Sequence, residues 1–155
     1  MAKPVSRILV INDEHLVLRE FVKGLNAAAR TLDNPLGISF LGVTTVKEAL
    51  SAIESDGDLQ AVLVDDTLYT LAKNGSSQKE LQMSALELVR RITRFRPELD
   101  VYILIAQEKE DDVVDKLFTE SVDGYFYREE RDYRGIYRIL NAQIQEKART
   151  PFTDQ

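Results

Sequence analysis

Cysteine is absent from this 155-residue chain, and histidine occurs once, at His15. The first absence removes any disulfide framework, thiol nucleophile or thiolate metal site, and leaves no argument for an oxidising compartment. Long apolar runs are missing too. Nothing reaches the length of a membrane span, and the opening MAKPVSR leads into a strand without the apolar core of a signal peptide. Positive charge is in short supply: 20 Lys and Arg face 26 Asp and Glu, a net charge of -6. With a pI near 4.9, that balance opposes the phosphate-tracking electrostatics of nucleic-acid binding. The expectation is a cytoplasmic protein with no nucleic-acid or membrane partner.

What is present is enough to build one core. A hydrophobic fraction of 44% over this length suits a single domain. Apolar runs at 8–11, 38–43, 61–64, 101–105 and 125–127 alternate with stretches whose apolar residues recur at helical spacing. Leu18, Phe21, Val22, Leu25, Ala29 and Leu32 form the first stripe, and Val46, Ala49, Leu50 and Ile53 the second, which Thr44 or Thr45 can cap. Ala85, Leu88, Val89, Ile92 and Phe95 follow, then Val113, Val114, Leu117 and Phe118, and finally Ile136, Ile139, Leu140 and Ile144. Wholly apolar strands alternating with amphipathic helices mark a parallel sheet covered on both faces. Right-handed crossovers leave few packings, and the α/β expectation is a flavodoxin-like three-layer sandwich with five parallel strands in the order 2-1-3-4-5. The turn-rich stretch 67–82, with Lys73-Asn74-Gly75-Ser76-Ser77, is long for a connection and sits where a functional loop would sit.

In such a sheet the switch point lies between strands one and three, so Asn12-Asp13 and Asp65-Asp66 end neighbouring strands and converge on the crevice where these folds bind ligands. Paired acids there can hold a cation or take a phosphoryl group. The arrangement resembles a response-regulator receiver domain. The resemblance puts the acidic pair of a receiver on Asn12-Asp13 and its phosphoacceptor on Asp65. Its hydroxyl residue after strand four falls on Ile105, and its lysine after strand five on Arg128. Isoleucine has no donor, and a planar guanidinium is not an ammonium point charge. The implied reading is a scaffold kept and a phosphorylation switch lost, with Asp13 and Asp65 leaving only a weak option for Mg²⁺ and no assigned metal site.

Plainer readings stand beside these. Asp65-Asp66 can end a strand and start a turn, and Asp13-Glu14 can cap the first helix and complement its dipole. A lone His15 beside two carboxylates is more often a helix-surface residue than a ligand. Arg131, Arg134 and Arg138 fall on one helical face that either receives an anion or is a solvated, salt-bridged surface with Glu129, Glu130 and Asp132. Tyr125, Tyr127, Tyr133 and Tyr137 divide between core and contact surface, and at least one is expected in an interface.

A second resemblance covers the whole chain. The tracts RILVINDEH, VDGYFYREERD and QIQEKARTPF resemble the N-terminal wing domain of the bacterial ornithine/lysine/arginine decarboxylases. The resemblance implies a wing over 1–147 and, from Ala148-Arg149-Thr150-Pro151-Phe152, a linker over 148–155 into an absent core. The parent would be a pyridoxal-phosphate-dependent lyase. This segment would have no cofactor and no catalytic residue of its own, would serve oligomerisation and regulation, and would have as partners a second copy and the enzyme's own catalytic core. The alternative is a stand-alone pseudo-receiver that binds a signalling partner without phosphorylation. A working but atypical receiver is the third reading.

Overall fold

The computed structural model describes residues 5–65, 85–105 and 122–149. The elements are β1 (Ser6–Ile11), α1 (His15–Thr31), β2 (Ile38–Val43), α2 (Val46–Ser55), β3 (Leu59–Asp65), α3 (Ala85–Phe95), β4 (Asp100–Ile105), β5 (Gly124–Tyr127) and α4 (Tyr133–Arg149), with a 3₁₀ turn over Arg128–Glu130. All strand pairs are parallel, and the sheet runs β2-β1-β3-β4-β5. This is the expected order. The fourth helical stripe, Val113 to Phe118, and the stretch 67–82 lie outside the described residues.

Strand side chains alternate between two faces, and each face builds its own core. Leu9, Ile11, Val62, Val64, Val101, Ile103 and Ile105 pack with α2 and α3. Ile8, Val10, Ala61, Leu63, Tyr102 and Leu104 pack with α1 and α4. The central strands are apolar on both sides because both sides are covered. Leu25 and Leu140 are fully buried on the second face, so truncating either to alanine is expected to cost about 2–5 kcal/mol.

Local chemistry sets the helix ends. Thr45 caps α2: its Oγ1 accepts from the Glu48 amide at 3.0 Å and donates to the Glu48 carboxylate at 3.0 Å. The two residues thus hold each other through the Thr45 hydroxyl, a variant of the capping-box pairing, and the hydroxyls hold the Glu48 carboxyl below its usual range. At the other end of α2, Arg96 donates to the Ile53 and Asp56 carbonyls at 3.2 and 2.8 Å. α1 ends at Thr31, with Leu32 as its C-cap.

Two expected core positions are corrected. Phe95 is 57% exposed and Ile139 is 48% exposed. Phe95 closes the last turn of α3, and the buried stripe of α4 is satisfied by Ile136, Leu140 and Ile144, whose spacing turns Ile139 away. No helix among the described residues is long and apolar enough to cross a membrane. α4 continues to Arg149, so the expected boundary after 147 falls within its last turn.

Candidate functional site: a self-paired acidic crevice

β1 and β3 lie side by side at the centre of the sheet, and both end at the crevice. Asp65, the last residue of β3, is wholly inaccessible to solvent, and Asn12, just past β1, is buried beside it. A carboxylate in that environment demands donors. Asn12 Nδ2 donates to Asp65 Oδ2 at 2.9 Å, and Arg128 Nη1 donates to Asp65 Oδ1 at 2.6 Å. The Asn12 amide is oriented by a second bond, since its Oδ1 accepts the Glu14 amide at 2.9 Å.

Arg128 follows β5, which is two strands from β3, so its side chain reaches across the end of β4 to make this ion pair. The long, forked guanidinium suits such a span. Its 2.6 Å contact with Asp65 supplies a positive charge to the acid and shows that the guanidinium redirects this contact without losing it. Asn12 is its complement. An aspartate there would place a like charge against Asp65, whereas the amide removes the repulsion and adds a donor.

Ile105 ends β4, is fully buried and packs in the core shared by α2 and α3, so no hydroxyl is offered to the crevice at this position. Asp13 is half-buried, and its Oδ1 is a buried acceptor with no partner among the described residues. Burial pushes its carboxyl above the usual range, and the nearby charges of Asp65 and Glu14 push in the same direction. Asp66 lies outside the described residues.

A hydrated divalent cation in this crevice would compete with the donors already bound to Asp65. Mg²⁺ is held by one or two carboxylates with water completing its octahedron; here one oxygen of Asp65 already carries a guanidinium, and Asp13 keeps a buried acceptor. Among the described residues no group of three or more histidine, aspartate or glutamate side chains assembles as a ligand set. His15 begins α1 and is exposed. The capping reading of Asp13-Glu14 is also corrected: Glu14 occupies the N-cap of α1 without a side-chain cap bond, and its own amide donates to Asn12 in an Asx turn.

The tyrosines separate by face. Tyr137 is buried and donates its hydroxyl to the Asp33 carbonyl at 2.7 Å. Tyr133 stands edge-on to Phe21 with centroids 5.5 Å apart, and its ring lies over Gly24, where an added Cβ would clash with it. Both serve the α1–α4 packing, so Tyr137 is withdrawn from the interface candidates and Tyr133 is occupied within the fold. Tyr125, 37% exposed, meets Tyr127 edge-to-face at 5.7 Å on β5. These two keep a side chain near the surface. Arg131 precedes α4 in the left-handed region, at φ 51°, so only Arg134 and Arg138 share the helical face.

No protein-family model matches the chain, and no curated protein matches it. Solved structures do. A CheY-like response-regulator receiver domain from Methanospirillum hungatei superposes with a TM-score of 0.65 at 18% identity, covering 94% of this chain and 98% of that one. A receiver domain from Clostridium thermocellum gives 0.67 at 19%, covering 93% and 98%. The fold is that of a receiver domain. A protein from Neptuniibacter caesariensis has the same architecture, with a TM-score of 0.68 at 12% identity and 97% of both chains covered. Nothing in these comparisons links the chain to amino-acid decarboxylases, and the receiver-like part of that resemblance is the part they support.

Proposed function

We propose that this receiver-like domain is a signalling or interaction module that works without phosphorylation, its crevice held in one state by the Asn12–Asp65–Arg128 network. The observation that carries the reading is the double engagement of Asp65, one oxygen by a neutral amide and the other by a guanidinium. A phosphoryl acceptor needs a free carboxylate oxygen, a cation to gather charge and donors for the transferred group. Here both oxygens of Asp65 are engaged, the charge beside them is a tethered guanidinium, and the position that would offer a hydroxyl is Ile105.

Incubation with acetyl phosphate or beryllofluoride in Mg²⁺, followed by intact mass and amide spectra, tests this. The expected result is no adduct and no shift in the amides around Asp65. A stoichiometric adduct that disappears in Asp65→Asn would overturn it. The decarboxylase-wing reading rests on sequence tracts alone, and the end of the most specific of them, the tail QIQEKARTPF, lies outside the described residues from Thr150 on.

A further inference from the structure

The two edges of the sheet are treated differently. The Ser6 amide donates to the Gly37 carbonyl and the Asn12 amide to the Val43 carbonyl, both at 3.2 Å. Ladder bonding alternates along a strand, so the odd-numbered residues of β2 bond toward β1, and Ile38, Phe40 and Gly42 turn their backbone groups outward.

Two of these three are occupied by side-chain amides. Asn34 donates Nδ2 to the Ile38 carbonyl at 3.0 Å, and its Oδ1 accepts the Ile38 amide at 2.9 Å. Asn26, from the middle of α1, repeats the pattern at Phe40, donating at 3.1 Å and accepting at 2.9 Å. At the third, Leu18 packs against the face of the strand, where a Cβ on Gly42 would lie 3.0–3.1 Å from it. A carboxamide carries one acceptor and a donor group in the geometry of a peptide unit, so each asparagine stands in for one residue of a neighbouring strand. On the far edge, the Asp123 amide donates to the Val101 carbonyl at 2.8 Å, which sets odd residues inward and turns Phe126 outward. No side-chain amide covers the Phe126 backbone among the described residues.

We infer that Asn26 and Asn34 close the β2 edge against strand pairing with a second copy of this chain. An uncovered parallel edge is a template for another strand, and here its outward donors and acceptors are consumed two residues apart by the fold's own side chains. Strengthening the α1–β2 connection alone would need neither the repetition at i and i+2 nor the bidentate geometry.

The test is the variant Asn26→Ala/Asn34→Ala, examined by sedimentation velocity over a concentration series and by amide exchange. Exchange at Ile38 and Phe40 should accelerate at least tenfold while β1 and β3 keep their protection, and a concentration-dependent species absent from the wild type should appear. Adding Leu41→Lys on the same strand, where Leu41 is 43% exposed, should abolish that species, because an edge lysine blocks pairing. Fast exchange without new association, or association indifferent to Leu41→Lys, would overturn the inference. Should the double variant not fold, Asn34→Ala alone carries the test, since Asn34 lies in the connection between α1 and β2. Local loss of protection at Ile38 with new association supports the seal, and loss without association refutes it.

Discussion

The two ends of the sheet both hold arginine–aspartate pairs, and they differ in what water can do for them. At the carboxyl end, Asp65 is fully buried and Arg128 is 22% exposed. At the amino end, Arg7 grips Asp56 through two bonds, at 2.7 and 3.0 Å, with its own side chain 36% exposed. The geometry at the amino end is the better of the two, yet its contribution should be the smaller. Exposed ions separate into water at little cost, whereas a buried carboxylate stripped of its partner has nowhere to discharge.

The largest effect that would sharpen this contrast is Arg128→Ala. It is expected to cost about 3–5 kcal/mol in urea unfolding, because it leaves an uncompensated buried charge. Asp65→Asn should cost less, since the stranded Arg128 can turn to solvent. Equal losses from the two variants would break the argument. Next comes Arg96→Ala, which strips two carbonyls at the end of α2 of a charged donor and should cost about 1.5–3 kcal/mol.

Asp13→Asn should move stability the other way. Its carboxyl is raised by burial above 3.8, so the folded state binds the proton more tightly than the unfolded chain. The penalty is therefore present above the folded value and vanishes below about pH 3.8. The variant should melt higher than wild type at pH 7 and no higher at pH 3. Arg7→Ala should give the smallest change, and salt should shrink it further. Arg7 holds the Asp56 carboxyl below 3.8, a stabilisation present above that value and lost as pH falls through the lowered one. Thermal melts between pH 2 and 7 should show the Arg7 effect fading at the acid end.

Much of the fold was legible because the strands are short, apolar and separated by amphipathic stretches, a pattern that only a covered parallel sheet explains. The crevice was legible in part. Asn12, Asp13 and Asp65 end adjacent strands, and strand order alone brings them together. The Arg128 contact was not, because it crosses β4 and depends on side-chain reach, which has no sequence period. Tyr133 and Tyr137 read as surface or core equally well from their spacing. Gly24 decides for Tyr133, but a glycine in a helix does not announce the ring above it. Asn26 and Asn34 give no periodic signal at all, since their partners are backbone groups.

The bond from the Tyr137 hydroxyl to the Asp33 carbonyl spans 104 residues, and with Tyr133 on Gly24 it joins the first helix to the last. Closing so wide a loop costs entropy that is recovered only when α4 arrives. During synthesis the α2–α3 side of the sheet can therefore assemble while the α1 side still lacks its second helix. A chain interrupted before Tyr133 would present an apolar half-layer built from Phe21, Leu25, Leu63 and Tyr102, making the final helix the step that covers a sticky nascent face.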